Sequence, residues 1–233
     1  LLYLLKERGL SPTSCNTVRY GLRFFYRVTL GWPDPHLYIP GAKQPPTLPE
    51  VLSQEEVVRL LTVTTNRKHR ALLMTTYGAG LRVSEVTQLK VSDIDSQRMC
   101  LRIIQGKGQK DRYVPLSERL LQELRAYWRR YRPALWLFPG LFTDRPMSRD
   151  AASDAFVKAK RKAAITKSGA IHLLRHSWAT HMLEAGTDLV DIQRLMGHRS
   201  PRTTMRYLHI AQDRKTPMPS PLDLLDLPGP ARR

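Results

Sequence analysis

Acidic residues are scarce in this chain. Its 233 residues hold 20 Asp and Glu against 38 Lys and Arg, a formal net charge of +18 at pH 7 with histidine neutral. Such an excess points to a polyanionic partner, nucleic acid ahead of a membrane surface, because charge speaks to partners and not to fold. A merely soluble basic protein is the alternative that composition alone leaves open. Cysteine is nearly missing: Cys15 and Cys100 are far apart and in no ligand spacing. That excludes a disulfide or thiolate–metal framework and points to a reducing compartment. No apolar run approaches the roughly 18 residues of a membrane-spanning helix. The opening Leu-Leu-Tyr-Leu-Leu-Lys-Glu-Arg lacks a basic n-region and a small-residue cleavage site, so it is not a secretory signal. It also lacks an initiator Met, and the chain reads as a fragment or a trimmed form.

What is present suffices for an ordinary core: 42% of the residues are hydrophobic. The length suits one large domain, or one domain plus a fragment. Residues 1–30 read as helical pieces, with Thr17, Arg19, Arg23 and Arg27 near one face and Val18, Leu22, Phe25 and Tyr26 between them. A basic helix with interleaved aromatics can lie on a phosphate backbone, or it can be the solvated face of a packing helix. From Gly31 to Pro49 the chain is rich in Pro and Gly, which is linker composition. Ser53-Gln54-Glu55-Glu56 is a capping box, followed by the apolar stripe Val57, Val58, Leu60 and Leu61.

Residues 68–77 and 82–90 read as helices parted by Gly78-Ala79-Gly80. Residues 99–104 and 112–115 read as strands around Gly106-Lys107-Gly108-Gln109-Lys110, a hairpin. Residues 117–131 give a long basic helix with Leu120, Leu121, Leu124 and Trp128 on its apolar side. Further helices follow over 148–163, over 171–185 until Gly186, over Asp188–Met196 and over Pro201–Arg206. The tail from Thr216 is Pro-rich.

Several polar residues have spacings that suit phosphate chemistry. His172 and Arg175 are three apart, so they neighbour one another beside the stripe Ile171, Leu174, Trp178 and Met182. A guanidinium there can grip two phosphate oxygens with its planar fork. The imidazole can move a proton at the same phosphate. Arg82 follows Gly80 near a helix start, where backbone N–H groups also face an anion, and Glu85 is close enough to orient it. Lys107, or its rival Lys110, can reach a leaving 5′ oxygen from a Gly-flanked loop and protonate it. His198 follows Gly197, and Tyr207 lies nine residues later. Its hydroxyl is a nucleophile only where cations and a proton acceptor surround the target. His172 and His176 stand four apart, a spacing found in metal sites. No Glu in an HExxH frame and no Cys or acidic third ligand accompanies them, so His176 and His181 read as structural or phosphate-proximal.

Taken together these motifs resemble the tyrosine recombinase (phage integrase) family, in its Xer-like and integron-like flavour. The first family box looks like Gly80-Leu81-Arg82-Val83-Ser84-Glu85 with Leu89. The lysine hairpin looks like Gly106-Lys107-Gly108-Gln109-Lys110-Asp111-Arg112 with Val114-Pro115-Leu116. The second box looks like His172-Leu173-Leu174-Arg175-His176-Ser177-Trp178-Ala179-Thr180. Leu195-Met196-Gly197-His198 and Thr203-Thr204-Met205-Arg206-Tyr207 complete the set. The resemblance spans about Ser53 to Ile210.

It implies a mainly α fold with a small β-hairpin or three-stranded sheet (α+β). Residues 1–48 would be a partial helical core-binding domain and linker, 49–215 the catalytic domain, and 216–233 a Pro-rich tail. It implies that Arg82 and Arg175 clamp the scissile phosphate and that Lys107 is the general acid. His172 would be base or proton shuttle, His198 a phosphate ligand, Tyr207 the nucleophile and Glu85 a support. The implied reaction is site-specific strand exchange on double-stranded DNA through a 3′-phosphotyrosyl link, by a dimer or tetramer in the cytoplasm, at the bacterial nucleoid, with no metal or other cofactor. A truncated DNA-binding protein that no longer recombines, and a type IB topoisomerase-like enzyme, are the alternatives.

One consequence of the charge is direct. Binding to duplex DNA is expected to weaken steeply with salt, since each neutralised phosphate releases counterions. A plot of log affinity against log salt concentration checks this, and a flat line would contradict a phosphate-docking surface.

Overall fold

The computed structural model describes residues 2–32, 41–42, 50–104, 111–198, 201–205 and 207–208. The chain divides into two compact units, Leu1–Thr47 and Leu48–Arg233. No helix among the described residues is long and apolar enough to cross a membrane.

The first unit is helical. Helix α1 spans Leu2–Lys6. Ser11 caps helix α2 (Pro12–Phe24) by accepting from the Ser14 N–H at 3.2 Å, and Pro12 takes the first-turn place where a missing N–H costs nothing. The helix runs straight into a π-helical turn, Phe25–Thr29. The Asn16 side chain donates to the Ala42 carbonyl and accepts from the Ala42 N–H, both at 3.0 Å. Cys15 is the one buried apolar side chain among this unit's described residues, while Tyr20, Phe24 and Trp32 are exposed. Arg23 and Arg27 border a shallow groove with Tyr20, Phe24 and Val28, so the interleaved basic and aromatic pattern lies on a surface.

The second unit is built around helix α4 (Arg67–Gly78), capped by Asn66. Ala71, Leu72, Leu73, Thr75 and Thr76 bury most of its circumference. The two threonine hydroxyls are satisfied within the helix by the Ala71 and Leu72 carbonyls, at 2.7 and 2.8 Å. Helix α3 (Gln54–Thr62) starts at the expected capping box: Ser53 Oγ accepts from the Glu56 N–H, and Glu56 accepts from the Ser53 N–H at 2.7 Å. Val57 and Leu60 face the core, whereas Val58 is exposed. Helix α5 is only Val83–Thr87, shorter than the expected 82–90. The chain leaves the helix because Leu89 and Val91 pair their backbones with Leu137 and Leu135.

A three-stranded antiparallel sheet follows, in the order β1 (Ile94–Asp95), β2 (Cys100–Ile103), β3 (Arg112–Pro115). The expected hairpin forms its β2–β3 half, with Leu101 opposite Val114 and Ile103 opposite Arg112. Alternation sends Arg112 and Val114 inward and Tyr113 outward. Helix α6 (Glu118–Tyr131) buries Leu120, Leu121, Leu124 and Tyr127. Trp128, expected on that face, is 38% exposed and has the Arg132 guanidinium over its ring at 4.1 Å. Helix α7 spans Arg149–Lys162.

Helix α8 (His172–Glu184) is the second buried helix: Leu173, Leu174, Arg175, Ser177, Trp178, Ala179, Thr180 and Leu183 are all buried. Ser177 ties it to the start of the unit, accepting from the Leu52 N–H at 2.9 Å and donating to the Leu173 carbonyl. Helices α9 (Leu189–Met196) and α10 (Pro201–Met205) are the last described helices of the unit.

At Gly80 the chain turns with φ +61°, and an added Cβ would lie 2.6 Å from Cε3 of Trp178. Gly80→Ala is therefore expected to cost about 2–4 kcal/mol, combining left-handed strain with overlap against a packed ring. Gly186 also has positive φ but open space around it, so Gly186→Ala should cost only about 1–2 kcal/mol. Urea unfolding of both variants checks this, and equal losses would contradict the packing argument.

Candidate active site

Three segments that are distant in sequence meet at one carboxylate, Glu85. The Gly80 turn leads into Arg82, the residue that caps α5. Glu85 sits on the first turn of that helix and accepts from the Arg82 N–H at 2.8 Å and from Arg82 Nη1 at 2.7 Å. From the inner face of β3, Arg112 brings both Nη atoms to Glu85, each at 2.9 Å. From α8, Arg175 Nη1 lies 3.6 Å from Glu85 Oε2. Burial alone would raise the carboxyl pKa. The bonds and charge of Arg112, then the Arg82 N–H and the Arg175 charge, outweigh it and hold the pKa at about 2.

Arg175 is 4% exposed. Burial, and then the Arg82 charge, work against its cation, while Glu85 supports it. A guanidinium keeps its charge throughout the working pH range, so this buried cation is held in place by its partners. Its Nη1 donates to the Gly80 carbonyl at 2.6 Å, and its Nη2 to the Met196 carbonyl at 2.7 Å. Nη2 also lies 3.2 Å from His198 Nε2. Arginine can only donate, so in this arrangement Nε2 is the accepting nitrogen of a neutral ring. His198 Nδ1, 2.8 Å from Thr204 Oγ1, then carries the proton and donates. Arg82 Nη2 donates to the Gly197 carbonyl at 3.3 Å. Gly197 adopts φ +62° as the cap of α9, and this turn aims His198 at Arg175.

His172 opens α8 three residues before Arg175 and is exposed. Partial burial, and then the Arg175 and Arg82 cations, lower its pKa, which favours the neutral ring that can accept a proton. Tyr207 is 0% exposed and packs with Trp178, Ala179, Leu183, Ile192 and Met196. Its hydroxyl lies 2.8 Å from His176 Nδ1. Of the residues read from the sequence, Arg82, Glu85, Arg175 and His198 are joined by direct contacts, and His172 lies within their field. Lys107 and its rival Lys110 fall outside the described residues.

Two further residues lie against this set. Arg112 was visible only as the end of the lysine-loop motif, although strand alternation with buried Val114 would have turned it inward. His176, expected to be structural or phosphate-proximal, lies against the Tyr207 hydroxyl.

The sequence model of the Phage integrase family matches residues 50–214. The chain belongs to that family. The putative integrase/recombinase y4qK of Sinorhizobium fredii is 48% identical over 231 residues, covering 98% of this chain and 75% of that protein. The tyrosine recombinase XerA of Thermococcus kodakarensis is 39% identical over 212 residues, covering 88% and 74%. Among solved structures, a crystal structure of XerA recombinase superposes with a TM-score of 0.66 at 27% identity, covering 93% of this chain and 81% of that one. This integrase-family protein is thus a site-specific DNA recombinase of the tyrosine type, and its mainly α fold with a small sheet is the one the motifs implied.

In the recombinase, the depressed pKa of Glu85 gives a signed expectation. A carboxyl held below its unfolded value stabilises the fold fully above about pH 4.5, and that share is lost as the pH falls towards 2. It amounts to about 3 kcal/mol at this burial. Glu85→Gln should flatten the acid limb of stability between pH 5 and 2, measured by urea unfolding at several pH values. Parallel curves for both proteins would contradict it.

Proposed function

We propose that Arg82, Arg175 and His198 hold the scissile phosphate of double-stranded DNA and that Tyr207 attacks it. The observation that carries this reading is the convergence of two arginines and His198 on one small volume, beside the segment that holds Tyr207. The two guanidinium forks would face the non-bridging oxygens, where negative charge builds in the transition state. A phosphate that takes the Arg175 Nη2 hydrogen would release His198 Nε2 from that bond. The attack forms a bond from the tyrosine oxygen to phosphorus and breaks the bond to the 5′ oxygen. The phenol proton passes to an imidazole, with His172 in the base or shuttle role. Lys107, from the segment between β2 and β3, would protonate the departing 5′ oxygen. Rejoining is the reverse reaction with a different 5′ hydroxyl, so the bond energy stays in the 3′-phosphotyrosyl link and no cofactor enters.

Several observations bear on the wider assembly. The basic and aromatic surface of residues 1–32 suits a phosphate backbone, and we assign residues 1–48 to the later part of a core-binding domain with its linker. Residues 49–215 would be the catalytic domain, and 216–233 a tail. Solved relatives include XerH bound to its difH substrate, and pairing of sites during strand exchange calls for a dimer or tetramer on DNA. The compartment would be the cytoplasm, where the nucleoid lies. Because Tyr207 is wholly covered, its hydroxyl must leave the His176 side of the pocket to reach phosphorus.

The test is a nicked duplex that traps the covalent intermediate. Tyr207→Phe should abolish the adduct while duplex binding persists; an undiminished adduct would remove Tyr207 as the nucleophile. Arg175→Ala should slow cleavage by roughly 10²–10³-fold, as loss of one preorganised charge stabiliser does. Cleavage at the parental rate would remove it from the clamp.

A further inference from the structure

We propose that Arg112 is a positioning residue for strand cleavage, acting through Glu85 and through the turn that carries His198. The proposal rests on the phosphate-clamp reading above. Three consecutive carbonyls at the end of α9 each accept from a different arginine. Leu195 takes Arg112 Nε at 2.6 Å, Met196 takes Arg175 Nη2 at 2.7 Å, and Gly197 takes Arg82 Nη2 at 3.3 Å. A helix C-terminus leaves such carbonyls without partners and carries partial negative charge, which suits cations. The same three arginines surround Glu85. Clamp and turn are therefore cross-linked twice, once through a carboxylate and once through the backbone.

The roles of the three differ. Arg82 and Arg175 must turn donors towards an arriving phosphate, so their bonds to Gly197 and His198 are the ones that can be exchanged. Arg112 is only 8% exposed at its side chain, and Nε, Nη1 and Nη2 all point at protein acceptors. It stays on Glu85 and Leu195 while the other two change partners. This has an electrostatic consequence. Without Arg112, the Glu85 charge would rest wholly on Arg82 and Arg175, and the carboxylate would compete with the phosphate for both. Arg112 supplies the counter-charge that leaves the clamp cationic. A lysine could supply the charge but not the planar fork that spans both carboxylate oxygens and still reaches Leu195.

The experiment measures covalent adduct formation at saturating DNA, on a nicked duplex carrying the cleavage site mapped with the parental protein. Two versions are used, one with the ordinary scissile phosphate and one with a neutral methylphosphonate in its place. Arg112→Met is expected to slow adduct formation on the phosphate by about 10- to 100-fold, the size seen when an outer partner of a charged site is lost. Duplex affinity should stay within about threefold, the phosphate contacts themselves being intact. Arg112→Lys should fail to rescue. On the methylphosphonate, where the clamp has less charge to meet, the deficit should shrink to about threefold or less. An equal deficit on both substrates would mark a merely structural residue and overturn the proposal, as would a parental rate on the phosphate.

If Arg112→Met does not fold, the double variant Arg112→Met/Glu85→Gln removes the stranded carboxylate as well. Compared with Glu85→Gln, it should lose little further rate, because the two side chains act as a unit. A further loss as large as about 10-fold would overturn the proposal. Failure of the parental protein to form any adduct would instead sink the clamp reading itself.

Discussion

A half-buried carboxylate among guanidinium groups is the constraint on which the site depends. Arg82, Arg112 and Arg175 would repel one another if brought together alone, and burial would add a desolvation cost to each. Glu85 lets them meet. It accepts from Arg82 and Arg112 and faces Arg175, and the surplus of cations holds its pKa at about 2. The net result is a positive cluster whose geometry is set before any substrate arrives. Preorganisation of this kind favours charge that develops during phosphoryl transfer.

The backbone has an equal part in that cluster. The Gly80 carbonyl and the carbonyls from Leu195 to Gly197 accept from the arginines. Both turns use glycine with positive φ, Gly80 at +61° and Gly197 at +62°. At Gly80 the ring of Trp178 fills the space where a side chain would go. The residue that packs the α8 core thus also sets the turn that leads into Arg82, so core packing and the geometry of the arginine cluster are one construction.

Tyr207, the proposed nucleophile, is coupled to the same frame through a shared apolar cluster. Tyr207 shares one buried cluster with Ile192 and Met196 of α9 and with Trp178, Ala179 and Leu183 of α8. Met196 also presents the carbonyl held by Arg175, and Thr204 of α10 holds His198. Movement of the α9 end would be felt both at the arginine cluster and around the tyrosine. Such coupling through a shared packed element needs no added device, because a close-packed interior does not deform continuously.

Much of this was legible in the amino-acid order. Local signals marked the capping box at Ser53, the β2–β3 hairpin and most helix spans, since caps, periodicity and turn residues act over a few positions. The family motifs pointed to Arg82, Glu85, Arg175, His198 and Tyr207. Local signals misjudged Val58 and Trp128, because which side of an amphipathic edge is covered depends on neighbours far along the chain. They also extended α5 too far, because pairing of Leu89 and Val91 with residues beyond α6 ended it. By itself the sequence determined the chemistry on offer and the family. Only the tertiary structure decided which groups share a charge: Arg112 joined Glu85 and His176 met Tyr207, because hydrogen bonds and Coulomb energy depend on distance in space, and a linear order carries no such distances.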